Sequence, residues 1–571
     1  MSKNTDVARA LKELSLLLEI EGKDKFKPRS YARASRSITM LGEDIEEIRK
    51  RDGLRDIPGV GDAIAKKIED YLDSGSIRLL TDLRKRIPVK VWELEAIPGV
   101  GPKTIKLVYQ EAGVTDLDSL EKAVNEGKLN GIKGIGKKTL EQILEGINLV
   151  RSGLGRTLLA DAMPTANQMV DFLSSLKGVK QAVAAGSLRR RRETIRDIDI
   201  LVDAKNAESV MDAFVEFSGV TDVIAKGVTK SSIRMESGIQ IDLRVLKTES
   251  YGAGLQYFTG SVDHNVKLRA IARKKGLKLN EYGLFKNEVM VAGANEEQIY
   301  NELGLVYIPP ELRENMGEIE AAQEDKLPDL IKLQDLKGDL HTHTNQSDGK
   351  NTLEEMLEVA SRKGYEYYCV SDHTKSLTIA NGMDEERVLQ RIAQIDEINS
   401  SGELKMQVLK GAEVDILRNG NLDLADDVLD QLDVITLSIH SRMKDTKQSM
   451  TERVCHALES PYAHILGHPT GRLLLKRIEL EIDMQKVFEA AKDNNVVMEL
   501  NSNPERLDLN VGNLRTATRM GLKIAINTDA HRTAELDYME YGIYQARRGW
   551  IAKQDVINTY PLKDLKRMLK K

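Results

Sequence analysis

Three aspartates in two short segments have the type and spacing needed to bind divalent cations. Asp197 and Asp199 alternate in RDIDILV, and Asp242 lies in GIQIDLRVL. Alternate residues of a β-strand point to the same face, so the first two carboxylates lie side by side. Such carboxylates repel each other unless a cation lies between them. The pattern predicts two-metal phosphoryl or nucleotidyl transfer.

A turn and a run of arginines precede the first two aspartates. Gly186 and Ser187 open the turn. The run that follows comprises Arg189, Arg190, Arg191 and Arg192. Guanidinium groups suit phosphate oxygens because they donate paired hydrogen bonds to them. The turn and the aspartates therefore predict phosphate binding, although the arginines alone also fit a solvated basic face.

The second half of the chain contains another group of candidate metal ligands. Short apolar strands end in ligand residues, and helical segments such as TLEEMLEVASRKG lie between them. The candidates are six histidines and three carboxylates: His341, His343, Asp348, His373, Glu413, His440, His468, Asp529 and His531. This alternation predicts an α/β barrel with its site at the carboxyl ends of the strands. Nine such ligands exceed what one ion needs and suit Mn²⁺, Fe²⁺ or Zn²⁺.

Three similar segments lie in the first part of the chain: LRDIPGVGDAIAKKI (54–68), LEAIPGVGPKTIKLV (94–108) and LNGIKGIGKKTLEQI (129–143). The glycines permit a tight turn and leave backbone N–H groups open to phosphate at a helix N-terminus. The predicted DNA-backbone contacts are Gly59, Gly61, Gly99, Gly101, Gly134 and Gly136. Lys133 replaces the proline of the other two copies, so the third copy also fits a purely structural role.

Composition and charge differ between the two parts of the chain. The 571 residues carry a formal net charge of −5, the sum of +5 over residues 1–310 and −10 over residues 311–571. Eight of the nine histidines lie in the second part, and the Glu-rich segment 311–330 between them is predicted to be a linker. Two cysteines make no disulfide framework, and no apolar segment reaches the ~18 residues of a membrane span. We therefore expect a cytoplasmic, nucleoid-associated protein without a membrane partner.

The segment YFTGS (257–261), followed by Asn265 and Arg269, resembles a signature of family X DNA polymerases. With the aspartate pattern and the repeats, which resemble helix-hairpin-helix motifs, this resemblance covers nearly all of residues 1–315. It implies that the three aspartates are catalytic and hold two Mg²⁺, and that the substrate is a dNTP on gapped or primer-template DNA.

The resemblance also implies a nucleotide-binding set: Gly186, Ser187, Arg190, Tyr257, Phe258, Gly260, Asn265 and Arg269. Ser187 and Arg190 would hold the triphosphate. Tyr257 and Phe258 would line the sugar pocket. Asn265 would contact the minor-groove edge of the incoming base, and Arg269 the template side.

Two further positions follow from the same resemblance. Gln240 stands where the family often has an arginine near the primer hydroxyl, which bears on the efficiency of proton removal. Lys67, beside Lys66, matches the Schiff-base lysine of a 5′-deoxyribose-phosphate lyase, although a helical lysine is usually just solvated.

The ligand motifs of the second half, HxH, SDH, GAE, SIH, GHP and DAH, resemble the polymerase and histidinol phosphatase (PHP) domain over residues 336–571. Behind a family X polymerase, such a domain resembles the bacterial PolX architecture. The resemblance implies a phosphoesterase barrel with up to three ions, acting as a 3′-to-5′ exonuclease that is typically Mn²⁺-dependent. Arg472 and Arg506 are candidate phosphate contacts, although each also fits an ordinary structural role.

Together these features predict a multidomain α/β protein: helical helix-hairpin-helix domains, a polymerase beta-like α+β palm and thumb, and a distorted α/β barrel. The predicted boundaries are 1–80 and 81–150 (helical), 151–250 (palm), 251–315 (thumb), 316–335 (linker) and 336–571 (PHP). The protein is predicted to be a monomer that fills short gaps in DNA repair of the base excision type. It is also predicted to act as an exonuclease. The alternatives are a barrel that is only structural, or a small-molecule phosphatase fused to a polymerase.

Overall fold

The computed structural model describes residues 3–23, 26–39, 45–95, 97, 100–132, 134–153 and 155–569. The chain divides into two compact units. One comprises Met1–Leu154 and Leu475–Ile478, and the other comprises Gly155–Leu474 and Glu479–Lys571. Among the described residues, no helix combines the length and the apolar character that crossing a membrane would require.

The first unit is helical. Its helices are α1 (Lys3–Glu21), α2 (Lys27–Thr39), α3 (Ile45–Lys50), α4 (Asp62–Ser74), α5 (Arg78–Arg86), α6 (Val91–Glu95), α7 (Pro102–Ala112), α8 (Leu117–Asn125) and α9 (Lys137–Gly153). In α1, apolar residues recur every three or four positions at Val7, Leu11, Leu14 and Leu18, and all four are buried. They belong to one core that runs from Val7 to Ile147.

The three repeats form the same local structure. In each copy, the residue between the glycines donates its backbone N–H to the carbonyl three residues earlier: Val60 to Ile57 (2.9 Å), Val100 to Ile97 (3.0 Å) and Ile135 to Ile132 (3.0 Å). Helices α4, α7 and α9 each begin directly after the second glycine. Gly59 and Gly134 have φ of +87° and +103°, which glycine adopts without a steric penalty. Gly99 and Lys133 lie outside the described residues.

The second unit begins with an antiparallel pair and a five-stranded sheet of order β2-β4-β7-β6-β5. The elements are β1 (Thr157–Leu158), α10 (Leu159–Ser175), β2 (Val179–Ala184), α11 (Gly186–Arg189), β3 (Thr194–Ile195), β4 (Asp197–Ala204), α12 (Ala207–Val215), β5 (Val220–Lys226), β6 (Lys230–Met235) and β7 (Gln240–Leu246). Strands β4 and β7 are parallel neighbours in the centre of this sheet. Their alternate apolar residues, such as Ile198, Ile200, Ile241 and Leu243, are buried against helices α10 and α12.

A mixed subdomain follows the sheet. Its elements are α13 (Tyr251–Thr259), α14 (Val262–Lys274), β8 (Lys278–Asn280), β9 (Gly283–Lys286), β10 (Val289–Ala292), α15 (Glu296–Glu302) and α16 (Glu318–Gln323). At its centre, the fully buried Arg313 contacts Glu296 (2.5 Å) and donates to the carbonyl of Ile308 (2.9 Å). Arg189 also pairs with Glu296, at 2.7 and 2.9 Å, and thereby ties α11 to this subdomain.

This buried ion pair leads to a stability prediction. Burial raises the pKa of Glu296, but Arg313 and Arg189 outweigh that effect and lower the pKa to about 2. Because Glu296→Gln leaves a buried guanidinium without its counter-charge, we expect a loss of about 3 kcal/mol in the free energy of unfolding. Thermal unfolding of the purified variant measures this loss. Glu297→Gln, a change at the exposed neighbouring position, is the control, and equal unfolding temperatures for both variants would refute the prediction.

The rest of the second unit is a parallel barrel with strands in sequence order. The strands are β11 (Gly338–Asp339), β12 (Tyr367–Val370), β13 (Gln407–Asp415), β14 (Val434–Ser438), β15 (Ile465–Leu466), β16 (Val497–Asn501) and β17 (Ile524–Asn527). The helices are α17 (Leu353–Arg362), α18 (Glu385–Ser401), α19 (Asp426–Leu429), α20 (Lys447–Leu458), α21 (Met484–Asp493), α22 (Val511–Arg519), α23 (Met539–Arg548) and α24 (Leu562–Leu569). Single 3-10 turns along the chain lie at Leu54–Asp56, Thr248–Ser250, Pro310–Leu312, Leu333–Asp335, Thr378–Ala380, Thr533–Tyr538, Lys553–Asp555 and Ile557–Thr559.

The barrel is joined just beyond its first and last strands. Asp529 donates its backbone N–H to the carbonyl of His341 (2.9 Å), and His343 donates to the carbonyl of Ala530 (2.8 Å). The strands are apolar on both faces because helices cover the outside and side chains fill the inside. The predicted fold class, helical repeats followed by a mixed sheet and an α/β barrel, is therefore confirmed.

Side-chain contacts join the five-stranded sheet region to the barrel within the second unit. Glu193, which precedes β3, accepts hydrogen bonds from Arg472 and Gln545 of the barrel, each at 2.6 Å. Arg191 lies over the ring of Tyr544 at 4.1 Å. The two parts thus share charged and aromatic contacts that hold them together.

Candidate active sites

The three predicted catalytic aspartates lie on the neighbouring strands β4 and β7. Asp199 is directly opposite Asp242, and Asp197 is opposite Gln240. Burial and the charges of Asp197 and Asp242 raise the pKa of Asp199 to about 7. A divalent cation would relieve this repulsion, so the carboxylate group fits the predicted metal.

The predicted phosphate turn lies directly against these carboxylates. Gly186 has φ of +61°, and a Cβ there would lie 2.2 Å from Asp199 Oδ2. Ala185 donates its N–H to the carbonyl of Asp199 at 2.8 Å, which fixes the turn to β4. Ser187 is half-buried on the short helix α11. The close approach therefore requires glycine at position 186.

The arginine run is held by protein contacts and does not form a solvated face. Arg190 donates from Nε to Glu314 (3.0 Å) and from Nη1 to the carbonyl of Thr259. A Cβ at Gly260 would lie 3.0 Å from the same Nη1. The structure thus brings Arg190 and Gly260 together, and their contact with a triphosphate stays a prediction.

The other predicted nucleotide-binding residues lie on α13 and α14. The rings of Tyr257 and Phe258 are 5.0 Å apart, and both side chains are half-buried. Asn265 donates to the carbonyl of Tyr257 and accepts from Gln256, both at 2.7 Å. Arg269 is half-buried on the same helix as Asn265. The base and template contacts stay predictions.

Strand β7 contributes two more side chains near the aspartates. Gln240 Nε2 donates to Asp242 Oδ1 at 2.8 Å, so the residue that replaces the family's arginine orients the third carboxylate. The guanidinium of Arg244 lies 4.3 Å from the centre of the Phe258 ring, and its charge opposes the rise in the pKa of Asp199. Sequence reasoning missed Arg244, although its two-residue spacing from Asp242 was an available signal.

All nine predicted barrel ligands converge at the carboxyl ends of the strands. Glu413 is central: its carboxylate lies 2.7 Å from His373 Nδ1, 2.8 Å from His468 Nε2 and 3.4 Å from both His341 Nε2 and His440 Nε2. Two further close contacts are His343 to Asp529 (3.1 Å) and His531 to Asp348 (3.2 Å).

The ligand atoms form three overlapping groups, each within 4.8 Å: His343, Asp348, His373 and His531; His341, His343 and Asp529; and His373, Glu413 and His440. Together they contain eight of the nine predicted ligands, and His468 lies against Glu413 outside them. Among the described residues, these are the groups with metal-binding geometry. Because the groups share His343 and His373, the number of ions stays a prediction.

The chemistry of these side chains fits divalent cations. Buried atoms that make no hydrogen bond include His341 Nε2, both ring nitrogens of His343, and Glu413 Oε2. Burial and the neighbouring His531 and His373 lower the pKa of His343 to about 4, so its imidazole is neutral and free to donate a lone pair. A buried donor set of this kind is satisfied by metal ions.

Two further carboxylates contact the predicted ligands and support them. Sequence reasoning did not assign either of them. Glu499 Oε1 lies 2.7 Å from His341 Nδ1, and its other oxygen accepts the backbone N–H of His468 (2.6 Å). Asp415 lies 3.3 Å from His440 Nδ1. Such carboxylates fix the orientation of an imidazole and raise its basicity. An acidic residue inside an apolar strand, as in VVMELNSN, was the available signal.

The support from Glu499 can be tested by metal binding. Glu499→Gln weakens the charge that orients His341, so we expect a loss of about 10- to 100-fold in Mn²⁺ affinity. Calorimetric titration of the metal-free full chain measures the affinity. Glu489→Gln, on the exposed face of α21, is the matched control. Unchanged affinity in the Glu499 variant would show that this carboxylate is dispensable.

A pocket of about 310 Å³ opens over the barrel ligands. Arg506 lines it, and its Nε lies 3.5 Å from Asp529 Oδ2. Its contact with a phosphate stays a prediction. Arg472 is buried instead, where it donates to the carbonyls of Arg506 (2.9 Å) and Leu507 and to Glu193. These contacts occupy the guanidinium of Arg472 and indicate a structural role for this residue.

Lys67 lies in α4, near the end of the first repeat. Its Nζ donates to the carbonyl of Ala63 at 3.0 Å and lies 5.9 Å from the centre of the Tyr31 ring. These are ordinary contacts of a half-buried helical lysine, and the lyase assignment stays a prediction.

Four family descriptions match the chain. Residues 2–77 match a helix-hairpin-helix domain, and residues 92–148 match a SAM-like helix-hairpin-helix tandem. Residues 254–314 match the DNA polymerase beta thumb, and residues 339–503 match the PHP domain. The fold and sites define a class: family X polymerases that carry a PHP domain.

Similar proteins narrow this class further. The chain is 36% identical over 570 residues, 99% of both chains, to the DNA polymerase/3′-5′ exonuclease PolX of Bacillus subtilis. It is 29% identical over 233 residues to a probable phosphatase of Thermoanaerobacter sp., covering 39% of this chain and 89% of that one. It is 23% identical over 346 residues to DNA polymerase lambda of Rattus norvegicus, covering 54% and 56%. The chain belongs to the PolX family.

Proposed function

We propose that this chain is a two-site DNA repair enzyme that extends a primer across short gaps and removes nucleotides from 3′ ends. The observation that carries the proposal is that one chain contains both a strand-borne aspartate group and a barrel with nine converging ligands. The two sites need separate cations. One would add nucleotides to the 3′ end of a strand, and the other would remove them.

In the polymerase site, Asp197, Asp199 and Asp242 would hold two Mg²⁺. When bound, these ions stabilise the charge that develops on the transferred phosphoryl group and lower the pKa of the primer hydroxyl. Gly186 lets the phosphate turn lie directly against the Asp199 carboxylate, because a Cβ there would be 2.2 Å from Asp199 Oδ2. Gln240 holds Asp242 in place through its side-chain amide.

In the barrel, the nine ligands would hold up to three ions, and the mixture of imidazole and carboxylate suits Mn²⁺, Zn²⁺ or Fe²⁺. Such ions supply a nucleophile at neutral pH and polarise the phosphoryl oxygen. Glu413 contacts five imidazoles and helps to position them. Glu499 orients His341 through its contact with the Nδ1 atom of that ring. Arg506 at the pocket mouth would neutralise the incoming phosphate.

The repeats support binding of gapped or primer-template DNA. Gly61 and Gly101 precede α4 and α7, where backbone N–H groups at the helix start can contact phosphate without reading sequence. We place the enzyme with DNA in the cytoplasm as a monomer.

A single assay separates the two activities. A 5′-labelled primer on gapped DNA is incubated with Mg²⁺ or Mn²⁺, with and without dNTPs. We expect extension when dNTPs are present and shortening when they are absent. A primer that keeps its length under every condition would refute the proposal, and extension without shortening would favour a barrel that is only structural.

The likeness of the barrel to a probable phosphatase favours a second candidate, a small-molecule phosphatase. Comparing hydrolysis of a 3′-recessed DNA with that of a sugar phosphate distinguishes the two. Preference for the sugar phosphate would assign the barrel to phosphatase chemistry.

A further inference from the structure

One apolar side chain stands exposed at the mouth of the barrel pocket. Ile379 is 94% exposed, the highest value for a large hydrophobic side chain in the part of the chain that the structure describes. It lies on the 3-10 turn Thr378–Ala380, and Leu377, Ile379 and Ala380 line the same pocket as the metal ligands. Single exposed apolar side chains are common on protein surfaces, but this one lies on a turn that lines the same pocket as the predicted metal ligands.

The first end of this turn is anchored in the barrel. Asp423 accepts hydrogen bonds from Thr374 Oγ1 (2.7 Å) and from the backbone N–H of Ser376 (2.9 Å). Met383, just past the turn, donates its N–H to the carbonyl of His373 at 2.7 Å. The position of the turn is therefore fixed relative to a predicted metal ligand.

The second end is anchored as firmly. Asn381 Nδ2 donates to the carbonyl of Gln346 (3.0 Å), in the loop that carries Asp348. Arg387 Nη1 donates to the carbonyls of Asn381 (3.0 Å) and Gly382 (3.1 Å). A turn held on both sides presents its tip without losing much conformational freedom when a ligand binds.

The pocket is thus lined by two chemically different sets of residues. One set comprises imidazoles, carboxylates and Arg506, which suit cations and a phosphodiester. The other set is apolar and includes Leu377 and Ile379 of the turn. A nucleotide has the matching division, a charged phosphate and a base with apolar faces. Those faces are open in a single strand, whereas in a duplex they are stacked on neighbouring pairs.

We propose that Ile379, with Leu377, is the specificity surface on which a base at the single-stranded 3′ end rests while its phosphodiester lies at the metal ligands. The proposal rests on the nuclease function proposed above. It assigns Ile379 and Leu377 a role in binding the terminal base.

Steady-state digestion of a 5′-labelled single-stranded oligonucleotide by the full chain with Mn²⁺ tests the proposal. For Ile379→Ser, we expect KM to rise about tenfold with little change in kcat, because the lost contact is to the bound base. Ile379→Leu should restore KM. The matched control is Leu333→Ser, which removes an exposed apolar side chain from another 3-10 turn. Hydrolysis of methyl p-nitrophenyl phosphate, a diester without a nucleobase, should be the same in all four proteins.

A second substrate isolates the contact with the base. When the terminal nucleotide lacks its base, wild-type KM should rise to the value of Ile379→Ser, and the substitution should add nothing further. Unchanged KM for Ile379→Ser on intact DNA would overturn the inference, as would an equal loss on the small diester, which would mark a structural role. A wild-type chain that cleaves the small diester but leaves DNA 3′ ends intact would refute the nuclease proposal and this inference with it.

Discussion

Replacing Asp197 and Asp199 together with alanine is expected to abolish primer extension while 3′ shortening continues. Burial and the charges of Asp197 and Asp242 raise the pKa of Asp199 to about 7. A bound cation would therefore relieve the repulsion among these three carboxylates. Removing two carboxylates removes the cations and several kcal/mol of transition-state stabilisation, on the order of 10³-fold in rate.

Both activities are measured on the same labelled primer, with dNTPs for extension and without them for shortening. Asp222→Asn, an exposed change on β5 of the same sheet, is the control and should leave both activities intact. Asp199→Asn keeps the shape of the side chain and should lose extension as well. If the double variant is folded but has lost both activities, the model of two independent sites is wrong.

Replacing His341 and His343 together with alanine is expected to have the opposite effect. His343 belongs to two of the three ligand groups, and His341 belongs to one of them and contacts both Glu413 and Glu499. The pair therefore takes part in two of the three groups. We expect a loss of nuclease rate on the order of 10³-fold or more, with primer extension unchanged.

His456→Ala is the matched control because His456 lies exposed on α20, outside the ligand groups. Metal content per chain, measured on the purified proteins, should fall in the double variant and stay constant in the control. Full nuclease activity in the double variant would move the hydrolytic site elsewhere on the chain.

Local sequence patterns pointed to the candidate ligands because most of them lie at or just past the end of a strand. His341 and His343, or Asp197 and Asp199, alternate within a few residues, and strand geometry alone brings them to one face. The repeats were predictable for the same reason, since a turn and the start of the next helix lie within fifteen residues of sequence.

The supporting contacts were not predictable, because they join residues that are far apart in the chain. Glu499 meets His341 across 158 positions, and Glu193 meets Arg472 across 279. Arg189 was grouped with the predicted phosphate-binding arginines. Its guanidinium instead pairs with Glu296, which is 107 positions away. No local pattern carries such pairings, since they arise only when segments that are distant in the chain pack together.

The segments that follow the first and last strands of the barrel meet at the predicted ligands. This affects the order in which the two sites can form during synthesis. The carboxylates of the polymerase site all lie between residues 197 and 242, so this site can assemble soon after that segment leaves the ribosome. In the barrel, the carbonyl of His341 is bonded to the N–H of Asp529, nearly two hundred residues later in synthesis. Because this contact needs residue 529, we expect the carboxylates of the polymerase site to be in place during synthesis before the ligand set of the barrel is complete.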